Sequence, residues 1–160
     1  MNARHVVLVT IVAAVTLAPA AATEPGVAKQ RVAISATILP AGKATLTPYR
    51  NGALAPDTGT FVGARSRTPD RTLIRDGQTV YFHSGTWTFT GKRGTLVLRE
   101  RNEWVDAGGS PDRPPWIGVG SWQVVRGTGQ YAGITGGGRS GHAGLGRKWL
   151  ARYEGFLTAR

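Results

Sequence analysis

Between Trp122 and Gly138 the chain places Gly127, Gly129, Gly133, Gly136, Gly137 and Gly138 around a single aromatic residue, Tyr131. Glycine takes positive φ without steric cost, so the backbone can change direction at almost every second step here. The alternating run that leads in, with Trp122 and Val124 on one side, reads as a strand. The segment therefore predicts a tight corner between strands, in a chain that folds a sheet around on itself.

The remaining text agrees with that reading. Gln30–Leu39 alternates through Val32, Ile34, Ala36 and Ile38 and predicts a first strand with one buried face. Residues 43–58 carry Pro48, Asn51-Gly52 and Pro56, and predict irregular loop or short edge strands. Thr60–Arg67 predicts a strand, Thr68–Asp70 a turn, and Arg75–Gly77 a break before a strand at Thr79–His83. Gly85–Thr90 alternates threonine with aromatics, Gly91–Gly94 reads as a hairpin connection, and Thr95–Glu103 continues with Leu96 and Leu98 on one face. Asp106–Pro115 is a Gly/Pro-rich loop, and Gly118–Val125 a strand. Gly138–Gly146 is ambiguous and reads as a flexible loop. Lys148–Thr158 predicts the final strand. Seven or eight strands without a helix of ten residues predict an all-β fold: one antiparallel closed β-barrel of about eight strands, closure removing the sheet edges.

The beginning of the chain carries a different signal. Arg4, the apolar stretch Val6–Leu17 and the small-x-small pair Ala20/Ala22 together predict a secretory signal peptide over residues 1–22, cleaved after Ala22. The plainer alternative is an uncleaved anchor or a buried strand, but the stretch is too short to span a bilayer and Pro19 breaks it. Cleavage leaves residues 23–160 as one domain, beginning with a loose tail over Thr23–Lys29, exported and extracellular. No later segment is apolar enough to cross a membrane. Cysteine is absent, which excludes an acylated lipoprotein, thiol chemistry and cysteine-bound zinc. Twenty Lys and Arg against nine acids give +11. That charge suits an anionic envelope polymer, and the plainer explanation of it is solubility. No run of consecutive basic residues marks a nucleic-acid site.

Motifs for chemistry are few. Gly127–Ala132 fits the dinucleotide-binding spacing GxGxxG/A, but the glycines after it would destabilise the helix which that site requires. His83 and His142 lack a second ligand at metal spacing and read as solvated, and no Gly-x-Ser-x-Gly occurs. The five tryptophans, Trp87, Trp104, Trp116, Trp122 and Trp149, carry more information. Trp87 and Trp122, pointing inward, either fill the core or line an apolar cavity at the barrel mouth. Arg99, Glu100, Arg152, Tyr153 and Glu154 are the strand residues that could orient a ligand there, with Glu100 and Glu154 the candidate catalytic carboxylates. If the Arg152/Glu154 face points outward instead, that pair is an ordinary surface ion pair.

Gly120–Gly138 (GSWQVVRGTGQYAGITGGG) and, more weakly, Thr86–Glu100 (TWTFTGKRGTLVLRE) resemble the allene oxide cyclase/dirigent superfamily in its exported bacterial members. The resemblance covers the C-terminal half. It implies an eight-stranded barrel with a hydrophobic lumen, often dimeric or trimeric, that guides a reactive intermediate by cavity shape and needs no cofactor. The family's own functional positions lie outside the matching segments and are not carried onto this chain. The leading expectation is an exported barrel holding a small hydrophobic molecule in its lumen, with cyclase-like or dirigent-like guidance of a reaction. The alternative is a non-catalytic basic protein that binds anionic cell-envelope polymers. The two are separated by whether the lumen is empty or packed with Trp87, Phe89, Leu96, Leu98 and Trp122.

Overall fold

A computed structural model describes residues 28–39, 42–108, 115–145 and 148–159. The signal segment 1–22, residues 23–27 of the expected tail and residues 109–114 of the Gly/Pro-rich loop lie outside the described residues. Nine strands follow one another: β1 (Ala28–Leu39), β2 (Lys43–Pro48), β3 (Asp57–Arg65), β4 (Arg71–Arg75), β5 (Gln78–Gly91), β6 (Gly94–Asp106), β7 (Trp116–Gly127), β8 (Thr135–Leu145) and β9 (Lys148–Ala159). All pairings are antiparallel. The sheet runs β3-β2-β1-β9-β8-β7-β6-β5, and β3 pairs back onto β5, so eight strands close a ring. β4 pairs with β5 beyond the point where β3 leaves it. Its hairpin turns on Asp76 and Gly77, both at positive φ, as an Asp-Gly connection favours.

Three local expectations needed revision. Lys43–Pro48 is a full member of the ring, not irregular loop, and its alternation of buried Ala44 and Leu46 with exposed neighbours is the reason. Residues 79–83 and 85–90 belong to one continuous strand, because Gly85 pairs with Glu100 without interrupting the ladder. Residues 138–145, where sequence pattern suggested a loop, belong to strand β8, which is paired on both sides. The glycines of β8 hid a period-2 inward face of Gly138, Ser140, His142 and Gly144.

Glycines on β3, β7 and β8 face tryptophans across the ladder. Trp87 stands across from Gly63, Trp104 from Gly118, Trp122 from Gly138 and Trp149 from Gly144. A Cβ on Gly118 would come within 2.7–2.8 Å of Trp104 ring carbons, so the ring occupies that space. Trp122 reaches farther: its indole N–H donates to Arg139 O (3.0 Å) and Glu154 O (3.3 Å), beyond the opposed pair Gly138 and Gly155.

The lumen is filled. Phe89, Leu96, Leu98, Trp87 and Trp122 all belong to one buried cluster, and Phe61 stacks on Trp87 (5.5 Å between centroids, 3° between planes) and touches Tyr153 at 5.1 Å. The glycine-rich corner closes one end. It holds a single short 3-10 turn, Gly129–Tyr131, with Gly129 and Gly133 at positive φ. Fully buried Tyr131 plugs the barrel against Phe89 and donates its hydroxyl to Asp57 (2.9 Å). Asp57 also accepts from the backbone N–H groups of Thr58, Lys92 and Arg93 at 2.8–3.1 Å.

Candidate functional site

Strand parity decides which polar residues enter the barrel. On β6, Glu100, Asn102 and Trp104 are buried while Arg99 and Arg101 are exposed. On β9, Tyr153 is buried and Arg152 exposed. Glu154 shares the outer face, where it accepts from Arg152 Nε (2.7 Å), the Tyr49 hydroxyl (3.0 Å) and Arg31 Nη2 (3.3 Å). Thus Arg99, Arg152 and Glu154 lie outside and do not line the lumen. The Arg152/Glu154 pair is the surface ion pair of the plainer alternative.

Glu100 has the opposite setting. Its side chain and that of His142 are each 1% exposed, and His142 Nε2 lies 2.6 Å from Glu100 Oε1. Tyr153 donates its hydroxyl to Glu100 Oε2 at 3.1 Å. Asn102 flanks the imidazole, with Nδ2 3.3 Å from His142 Nε2, and accepts from Ser140 Oγ (3.1 Å). Burial pushes the Glu100 pKa up, but the side-chain hydrogen bonds around it, that of His142 foremost, outweigh it, so the carboxyl is held below its ordinary value. Burial, followed by the neighbouring Glu100 charge, raises the Tyr153 phenol far above its ordinary value, so it remains a donor.

Above this cluster, at the end opposite Tyr131, the ring strands leave a pocket of about 270 Å³. It is lined by Ile38 from β1, Gly63 and Arg65 from β3, Trp87 from β5, Trp104 from β6, His142 from β8 and Trp149 from β9. Trp104 packs on both Trp149 (5.4 Å) and the His142 ring (5.1 Å). Among the described residues, three buried side-chain polar atoms have no partner: Trp104 Nε1, His142 Nδ1 and Gln130 Oε1. The first two belong to residues of this one pocket wall. Gln130 lies near the opposite end, and its amide still donates to Ala53 O (3.1 Å).

The chemistry follows from the pairing. An ionised Glu100 requires the imidazole proton on Nε2, which leaves Nδ1 of the neutral ring as a bare lone pair. Such a nitrogen can take a proton from an acidic O–H or C–H group, and the carboxylate behind it stabilises the imidazolium that forms. Glu100 is then a positioning residue, because His142 lies between it and the pocket. Of the sequence-derived candidates, Trp87 lines the pocket, Glu100 and Tyr153 support His142, and Trp122 is a satisfied core residue. Sequence reasoning missed His142 and Arg65, and Trp104 and Trp149 were left without a role. The signal for His142 was the alternation Ser140, His142, Gly144, masked by glycines.

Among the described residues no three His, Asp or Glu side chains gather as a metal site, and no helix is long and apolar enough to cross a membrane. No family model, curated protein or solved structure matches this chain.

Proposed function

We propose that this chain is an exported barrel that binds a small, ring-bearing apolar molecule at its tryptophan-lined mouth, with His142 placed to exchange a proton with it. One observation carries the reading: Trp104 and His142, each with a buried nitrogen that lacks a protein partner, both line a single, mainly apolar pocket. Buried polar groups are ordinarily satisfied, so such a pair marks where a ligand's polar group fits. An apolar cavity of roughly 150 Å³ already accepts benzene, and this pocket exceeds that size. The packed lumen counts against the expected ligand inside the barrel and confines the site proposed here to the mouth.

Shape plus one proton-transfer group is what a cofactor-free isomerisation or cyclisation requires. The ring architecture and the corner at Tyr131 are in keeping with the resemblance to allene oxide cyclase and dirigent barrels. Export rests on Arg4, the apolar run Val6–Leu17 and the Ala20/Ala22 pair. A tryptophan-fluorescence titration with 2-(1-naphthyl)ethanol tests the binding step. Saturable quenching is expected for the wild type, weakened about tenfold in Trp149→Ala, the loss of an aromatic wall being worth ~1.4 kcal/mol. A wild type that shows no saturable response rejects the reading.

A second reading has its own observation. Arg101 on β6 and Arg139 on β8 face outward across Ser121 of β7, with Arg99 two residues from Arg101 on the same face. Among the described residues no carboxylate bridges these three, unlike Arg31, Arg75 and Arg152. They form a basic patch on the outer wall, suited to an anionic envelope polymer. Retention on a polyphosphate matrix should fall steeply with salt, as counterion release demands. Retention independent of salt rules this reading out.

A further inference from the structure

We propose that the molecule taken at the mouth is an aromatic carboxylate, with Arg65 as the partner of its carboxyl group. This inference rests on the mouth-binding reading above and names the ligand class for it.

Arg65 stands apart from the paired arginines. Its guanidinium carbon lies 4.9 Å from the Trp104 ring centre and 5.3 Å from that of Trp149, within the pocket wall. Arg31, Arg75 and Arg152 each reach a carboxylate within 3.3 Å. Among the described residues, none lies within salt-bridge distance of Arg65. The residue as a whole is exposed, yet its charged end has lost enough water against the indoles to lower its pKa from the ordinary arginine value. A guanidinium partly stripped of water and lacking an anion attracts one strongly.

The donors at the pocket define the complement. Arg65 and the Trp104 indole N–H can only donate, and neither presents an acceptor. A carboxylate can only accept, and its planar pair of oxygens matches the guanidinium fork. Three indoles, Trp87, Trp104 and Trp149, supply flat apolar walls for a ring. Glu100, the buried acid that pairs with His142 of the pocket wall, is committed to His142 and Tyr153. A neutral ring compound would satisfy the walls and leave Arg65 without a counterpart.

Calorimetric titration of the wild type and of Arg65→Gln with 1-naphthaleneacetate and its neutral near-isostere 2-(1-naphthyl)ethanol tests the assignment. The wild type should bind the carboxylate at least about tenfold tighter, the scale of one charge-assisted bidentate contact. Arg65→Gln should bring the two probes within about threefold of each other. Arg65→Lys, which retains charge without the planar fork, should fall between. Equal binding of both probes by the wild type, or a preference that survives in Arg65→Gln, overturns the carboxylate assignment and leaves the mouth reading standing. If neither probe binds the wild type, both readings fall together.

Discussion

Each end of the barrel buries a carboxylate against a tyrosine hydroxyl, and the two ends treat it differently. At the plugged end, Asp57 accepts from three backbone N–H groups and Tyr131, all within 3.1 Å. Each of these four donors is satisfied by the carboxylate itself. At the mouth, Glu100 accepts from Tyr153 and His142, and the partner it holds keeps a free nitrogen beside a pocket. The same chemistry thus acts as a fastener at one end and as a poised group at the other. What separates them is where the donors come from. Backbone donors at Asp57 tie the β2–β3 connection to the β5–β6 hairpin, whereas side-chain donors at Glu100 pass its influence on to a second residue.

The largest effect should come from undoing the fastener. Asp57→Ala strands three N–H groups and the Tyr131 hydroxyl, and should cost about 2 to 3 kcal/mol, discounted because bulk water lies near the barrel end. The midpoint of urea unfolding measures this, and a loss below about 1 kcal/mol would mean that the plug is not held by Asp57. Tyr131→Phe removes a single charge-assisted bond and should cost about 1.5 kcal/mol by the same assay.

The mouth should respond in the opposite sense. Replacing its buried polar set together, as Glu100→Met, His142→Leu and Tyr153→Phe, should leave stability unchanged or raise it by about 1 kcal/mol. The binding proposed at the mouth should weaken in the same variant. A triple variant as damaged as Asp57→Ala would erase the distinction between the ends.

Acid sharpens the comparison. The first influence on Asp57 is burial, which raises its pKa, but the backbone N–H groups of Arg93 and Lys92 and the Tyr131 hydroxyl outweigh it and hold the carboxyl below its usual range. A depressed native pKa gives stability that is fully present above the unfolded carboxyl value of about 3.9 and drains away as pH falls through the lower native value. Stability measured from about pH 6 down to about pH 2 should therefore fall less steeply in Asp57→Asn than in the wild type. The smallest effect belongs to the outer wall: Glu154→Gln breaks exposed bridges, and its unfolding midpoint should match the wild type.

The plugged end was legible in the sequence because positive-φ glycines announce a corner directly: Gly129 and Gly133 adopt the conformation that only glycine accepts cheaply. What Tyr131 would bond to was not legible, since Asp57 lies 74 residues earlier and in a region whose proline and Asn-Gly content suggested loop. The mouth was harder to read. Glu100 could be singled out as a strand carboxylate, but Glu154 looked equivalent until parity placed one inside and the other outside. His142 sits in a strand whose inward positions are glycine, serine, histidine and glycine, so hydrophobic alternation had nothing to register. Arg65 was invisible as a site residue because its role depends on β3 bringing it over Trp104 and Trp149, which are distant in the chain.

The facing of tryptophan by glycine on neighbouring strands has a consequence for how such a chain can change. In these four Trp/Gly pairs one large side chain faces a position with none, so the two positions are coupled in volume. Enlarging Gly118 alone, or shrinking Trp104 alone, disturbs the fit, while exchanging them conserves the rung's volume and moves the indole to the adjacent strand. At the mouth, such an exchange would relocate one wall of the pocket without emptying it. Paired exchanges of this kind are a route by which the shape of the mouth changes while the cylinder itself stays intact.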